Sequence, residues 1–198
     1  MRVTAHGTWA IAAALAALAL AAPCGGKTLA MVDGKAITDA DVSAFFGYLP
    51  RGGALREATE ALVEREIILA LARGKALSVS PEEVSRAASL AARAHLPPAG
   101  SGGAASRKYI AEELLISKYI DLYIFPRIKL DEETLTAYFL DHPGAFLKRP
   151  PRDRAALKKM FPSRRNEVLY RYVRREIERL LVEAANEGRA GLGVEIRI

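Results

Sequence analysis

The chain has 198 residues, 51% of them hydrophobic and 26% charged, with a formal net charge of +6. The composition is globular, and the length suits one domain with a buried core but no room for a second full-sized unit. The single cysteine, Cys24, excludes an intramolecular disulfide, a CxxC redox pair and a cysteine-built zinc site.

Arg2 supplies a positive start, and Thr8 to Ala22 supplies an apolar run too short to span a bilayer comfortably. Ala19-Leu20-Ala21 is a small-x-small pattern, so residues 1–21 read as a signal peptide cleaved before Ala22, with a retained anchor helix as the alternative. The expected location is the periplasm or the exterior. Lipid anchoring at Cys24 competes with a free thiol there, and Pro23 before it argues for the thiol.

Leu29 to Val32, Asp33-Gly34 and Lys35 to Ile37 predict a hairpin with a type I′ turn, because Asp-Gly accepts the positive φ angles that turn demands. Two strands alone are unstable in water. Val194, Ile196 and Ile198 alternate with Glu195 and Arg197, so the C-terminus is expected to supply the third strand. Between them the pattern is helical. Thr38-Asp39-Ala40-Asp41 has capping-box form and opens a helix through Phe45, Phe46 and Tyr48, which Pro50 and Gly52-Gly53 should end. Leu55, Ala58, Leu62, Leu69 and Ala72 predict a largely buried helix from Ala54 to about Leu77. Ser80-Pro81-Glu82-Glu83 is a strong helix start, and that helix should stop near Pro97-Pro98. A long helix is expected from about Ser106 to Phe125, and a short one capped by Asp131 ending before Pro143. From Phe146 to Pro162 the chain is basic and proline-punctuated, so only a turn or two of helix is expected around Ala155 to Met160. The last helix should carry Leu169, Val173, Ile177, Leu180, Leu181 and Ala184, with Gly188 at its C-terminal cap.

The order of these pieces carries a resemblance. Leu-Ala-Met-Val-Asp-Gly-Lys-Ala-Ile-Thr-Asp-Ala-Asp-Val, Leu29 to Val42, looks like the opening of SurA-like domains, where a Val-Asn-Gly-x-x-Ile-Thr hairpin leads into the first helix. Ala61 to Leu69 is similar to the family's second helix, and Val79 to Val84 follows as expected, although Ser78 stands where the family commonly has glycine. Leu130 to Phe139, with His142, Pro143 and Phe146, resembles the segment ahead of the parvulin domain in periplasmic peptidyl-prolyl isomerases. That domain does not follow. The resemblance implies a mainly α fold, with residues 22–198 forming one SurA-N-like helical chaperone domain whose small sheet joins the N-terminal hairpin to the C-terminal strand. Residues 148–165 would be a basic linker in place of the isomerase insert.

The sequence offers no catalytic constellation, metal-ligand spacing or cofactor motif. His95 and His142 are the only histidines beyond the signal segment, and neither stands in a metal-spaced cluster. Gly25-Gly26-Lys27-Thr28 lacks the rest of a phosphate loop, and Gly188-x-x-Gly191-x-Gly193 has the wrong order for a dinucleotide fingerprint and reads as a flexible joint. The excess charge is local. Lys148 to Arg179 holds twelve cations against four acids, +8 there and −2 elsewhere, which offers an anionic membrane surface or another polyanion a docking site without specific nucleic-acid recognition. Aromatic residues remain as the richest functional signal, and Phe45, Phe46, Tyr48, Tyr123, Tyr138 and Phe139 are the expected client-binding residues. The expected activity is that of a periplasmic holdase, without cofactor, that binds apolar, aromatic-rich segments of unfolded envelope or outer-membrane proteins. The alternatives are a peptidyl-prolyl isomerase and a basic docking protein.

Overall fold

A computed structural model describes residues 26–93 and 103–198. The predicted signal segment, Cys24, His95 and the Pro97-Pro98 stop lie outside the described residues. Strands β1 (Thr28–Val32) and β2 (Lys35–Thr38) pair antiparallel through a turn in which Asp33 and Gly34 have φ of 48° and 76°. The third strand, β3 (Val194–Ile196), pairs antiparallel with β1, giving the order β2-β1-β3. The termini of the domain therefore meet in one sheet, as the alternation of Val194 and Ile196 predicts.

Six α-helices complete the described fold: α1 (Asp39–Phe46), α2 (Gly53–Gly74), α3 (Pro81–Arg93), α4 (Gly103–Tyr119), α5 (Glu132–Asp141) and α6 (Arg154–Gly191). Three of the predicted starts are present as hydrogen bonds. Thr38 and Asp41 cap each other's backbone at α1, Ser80 and Glu83 do so at α3, and Asp131 accepts from the Thr134 amide at α5. Helix α1 ends earlier than Pro50 implies, because Gly47 adopts a left-handed φ of 78° at its cap. Helix α4 passes without interruption into a π turn at Ile120–Ile124 and a 3-10 turn at Phe125–Arg127, so the helix expected through Phe125 is present and changes its winding after Tyr119. No helix among the described residues is long and apolar enough to cross a membrane.

The basic segment departs most from expectation. Residues 154–165, expected as linker, are the first third of a 38-residue helix. Pro162 lacks the amide that would bond four residues back, which is why it reads as a breaker. Two features offset it. Asp153 accepts from the amides of Ala155 and Ala156, and Leu157, Phe161 and Val168 bury one face against Leu135, Phe139 and Phe146. The far half of α6 joins a second, larger core: Leu180, Ala184 and Ala185 pack with Val63, Ile67 and Leu69 of α2, with the sheet, and with Leu115 and Tyr119 of α4. Gly188, expected as a cap or joint, lies inside α6 and is buried against α2, where an added Cβ would stand 2.6 Å from Ile67 Cγ2.

Two outcomes test this fold. Removing Gly193 to Ile198 strips the inner strand β1 of one partner; the lost backbone bonds and half-buried Val194 and Ile196 amount to about 3 kcal/mol or more, a large fraction of ordinary domain stability. An unchanged melting temperature would contradict the shared sheet. Pro162→Ala restores an amide in the interior of α6 and is expected to stabilise by about 1–3 kcal/mol in urea denaturation. A loss of stability would show that the packing of the two halves depends on the proline.

Candidate functional site

Where β2, α1, α2 and α4 converge, a cleft of about 200 Å3 opens to solvent. Its apolar surface comes from Ala36 and Ile37 of β2, Ala44 and Phe45 of α1, Leu62 of α2 and Tyr109 of α4. Its charges come from Lys35, Asp41, Arg65, Glu66, Lys108 and Glu112. The capping box orients α1 so that Val42 enters the core while Phe45 and Phe46 remain exposed. The rings of Phe45 and Phe46 meet edge to face at 5.0 Å, and Phe45 faces Tyr109 at 6.2 Å.

Arg65 ties the walls together. Its guanidinium donates to Glu112 at 2.8 Å and to Glu113 at 3.0 Å, both on α4, and lies 5.7 Å from the Phe45 ring centroid and 5.3 Å from that of Tyr109. A planar, fork-shaped cation is needed for this combination, since it must stack on rings while its edge meets two carboxylates. Burial alone would lower the Arg65 pKa, but the hydrogen bonds to Glu112 and Glu113 outweigh it and hold the group above its ordinary value. Burial, with the Glu113 charge second, likewise pushes the Tyr109 hydroxyl up, so the ring stays neutral. On the opposite wall, the buried Glu66 carboxylate accepts from Lys35 and, at 3.0 Å, from Arg73.

Among the predicted client residues, Phe45 lines this cleft and Phe46 packs on it. Tyr48, at 63% exposure, and exposed Leu49 follow directly. Tyr123 lies elsewhere, stacked at 5.5 Å on Tyr119 with the Lys75 ammonium over its ring. Tyr138 borders a separate, shallower pocket with Tyr170, Arg171, Arg174, Arg175 and Glu178, where Arg175 covers its ring. Phe139 does not belong in the set: it is 0% exposed, held between Phe146 and Phe161 in the smaller core. The five that remain thus mark three places rather than one surface. Sequence pattern does not reveal Arg65 or the Lys35–Glu66 pair, because the residues that meet there, Arg65 with Glu112 and Glu113 and Lys35 with Glu66, lie 31 to 48 positions apart, beyond any helical or strand spacing.

In the basic segment, charge is largely compensated on α6. Arg164 and Arg171 pair with Glu167, Arg165 with Glu132, Arg174 with Glu178, and Arg179 with Glu176 and Glu183. Lys148, Arg149, Arg152, Lys158 and Lys159 are exposed with no ion-pair partner among the described residues. No three His, Cys, Asp or Glu side chains among the described residues gather as metal ligands would.

Neither a scan against protein-family models nor a search of curated proteins returns a match to this chain.

Arg65→Ala should destabilise the protein by about 1–3 kcal/mol, because Glu112 is left half-buried without its partner. Arg65→Lys should recover part of that loss, since it restores the charge but neither the fork nor the stacking. Urea denaturation of both variants checks this. An Arg65→Ala protein as stable as the parent would show that the cleft walls do not depend on the tether.

Proposed function

We propose that this chain is an exported holdase, a SurA-like chaperone domain without an isomerase insert, that shields apolar, aromatic-rich segments of unfolded envelope proteins in the periplasm. One observation carries the proposal. Phe45, Phe46, Tyr48 and Leu49, four large apolar side chains within five positions, are all exposed, and Phe45 lines the cleft with the Phe46 ring packed on it. Scattered exposed hydrophobics are ordinary, but a contiguous group at a concave site is a mark of interaction surfaces. Aromatic rings suit that role because they offer large contact area at low conformational cost. Passive burial of this kind requires no nucleotide or metal.

A second reading is favoured by a different observation, the five uncompensated cations between Lys148 and Lys159. In that reading the same protein docks on anionic lipid headgroups. Salt separates the two, because apolar burial persists as ionic strength rises, whereas attraction between exposed charges is screened as the Debye length falls from about 10 Å at 0.1 M to about 3 Å at 1 M. Suppression of aggregation of a denatured outer-membrane protein is therefore expected to survive 1 M salt. It should weaken several-fold in a Phe45→Ala, Phe46→Ala, Tyr48→Ala variant whose melting temperature is close to the parent's. Protection abolished by salt and retained by this variant would overturn the holdase reading in favour of docking.

A further inference from the structure

We propose that the outer edge of β2 at Ala36 is a strand-addition site: a bound polypeptide segment lies extended along it as a fourth strand and places one large apolar side chain in the neighbouring cleft. The inference rests on the holdase reading and adds the mode of capture.

The hydrogen-bond register carries it. On the β3 side of β1, the Asp33 amide donates to the Gly193 carbonyl at 3.2 Å and the Arg197 amide donates to the Leu29 carbonyl at 2.8 Å. Residues of an antiparallel strand alternate in the direction of their backbone groups. Leu29, Met31 and Asp33 therefore face β3, while Ala30 and Val32 face β2, where they are registered with Ile37 and Lys35. Ala36, opposite Met31, turns its N–H and C=O away from β1. Neither group has a hydrogen-bond partner among the described residues. Ala36 is half-buried and lines the cleft, so this unpaired donor and acceptor stand beside apolar surface. An extended backbone supplies both partners at once.

The edge is also unguarded. Proteins commonly protect an edge strand with a lysine, but the Lys35 ammonium is drawn back onto the buried Glu66 carboxylate. The outer edge of β3 has outward-facing groups too, yet no residue of β3 lines the cleft. A site of about 200 Å3 is of the size that admits one aromatic ring, since a cavity of roughly 150 Å3 accepts benzene.

Charge narrows the ligand further. Glu66 is held by Lys35 and Arg73, Glu112 by Arg65, and Asp41 by Thr38. Lys108 is exposed and has no ion-pair partner among the described residues. The preferred segment is thus extended, with a large apolar side chain and an acidic residue near it.

The probe is a fluorescent peptide, Ser-Thr-Val-Asp-Phe-Thr-Val-Thr-Ser, with two analogues N-methylated at alternate residues, one set along each edge. The Phe seat pins the register, so one analogue should lose about tenfold or more in affinity, because its methyl groups remove the N–H that bonds to the Ala36 carbonyl and hold the strand too far off for the Ala36 N–H to reach its acceptor, while the other binds like the parent peptide. Replacing Asp by Lys in the peptide should also weaken binding. Ala36→Pro deletes the outward N–H at a position where an edge strand tolerates proline, and it should lower affinity for the parent peptide and weaken aggregation suppression. Its melting temperature is measured alongside, and the methylated peptides decide the matter with the parent protein if this variant fails to fold. If both analogues bind as the parent peptide does while unfolded protein is still protected, strand addition is wrong and the holdase reading stands. If neither the peptide nor the unfolded protein is held, both fall.

Discussion

Gly188 brings α6 against α2 at a separation no side chain permits, since a Cβ there would stand 2.6 Å from Ile67 Cγ2 and 3.3 Å from Leu71 Cδ1. That approach sets where α6 ends, and the few residues after it can therefore reach β1 as β3. With β3 in place, the hairpin is two strands of a three-stranded sheet over α2 rather than an isolated ribbon, which would be marginal in water. Leu29, Val32 and Ile37 then join Val63, Ile67 and Leu69 in the larger core. The cleft follows from the same contact, because α2 supplies both its floor, Leu62, and the two ionic ties, Arg65 and Glu66, that hold its sides.

The ionic groups around the cleft organise surface more than they add stability. Arg65 and Glu66 are adjacent on α2, so their side chains leave it in different directions, one toward α4 and the other toward β2. Each is bound by two partners, which leaves few free charges to disturb an apolar ligand. Helix α3 contrasts with this. It buries no residue, and Lys118 links its start to α4 through Glu83 and the Ser78 carbonyl. The Glu83 carboxyl is held below its usual range, chiefly by that lysine. Elements with so little buried surface open most readily, and α3 is the helix of which this holds.

Local chemistry was readable, and long-range packing, apart from the pairing of the C-terminal strand with the hairpin, was not. Asp33-Gly34, the Thr38 and Ser80 capping boxes and the alternation of Val194 and Ile196 each predict a structure from neighbouring residues alone, and each is present. Pro162 misled because its local effect is real but is outweighed by the burial of Leu157, Phe161 and Val168 on α5, a contact invisible to local pattern. Gly188 misled because a glycine near a helix end can serve a cap or a close approach. Phe139 and Phe45 occupy similar places on amphipathic helices, yet the first faces Phe146 and Phe161 while the second faces Arg65 and solvent. The Arg65 tether joins residues more than 45 positions apart, so no spacing could reveal it.

Amide hydrogen exchange, followed residue by residue in the presence of a denatured outer-membrane protein, distinguishes the edge of β2 from the other exposed surfaces. Slower exchange is expected at the Ala36 amide and across α1, with the outward amides of Val194 and Ile196 on β3 unchanged. Protection that appears instead around Tyr138 and Arg175, with Ala36 exchanging as in the free protein, would contradict strand addition at that edge.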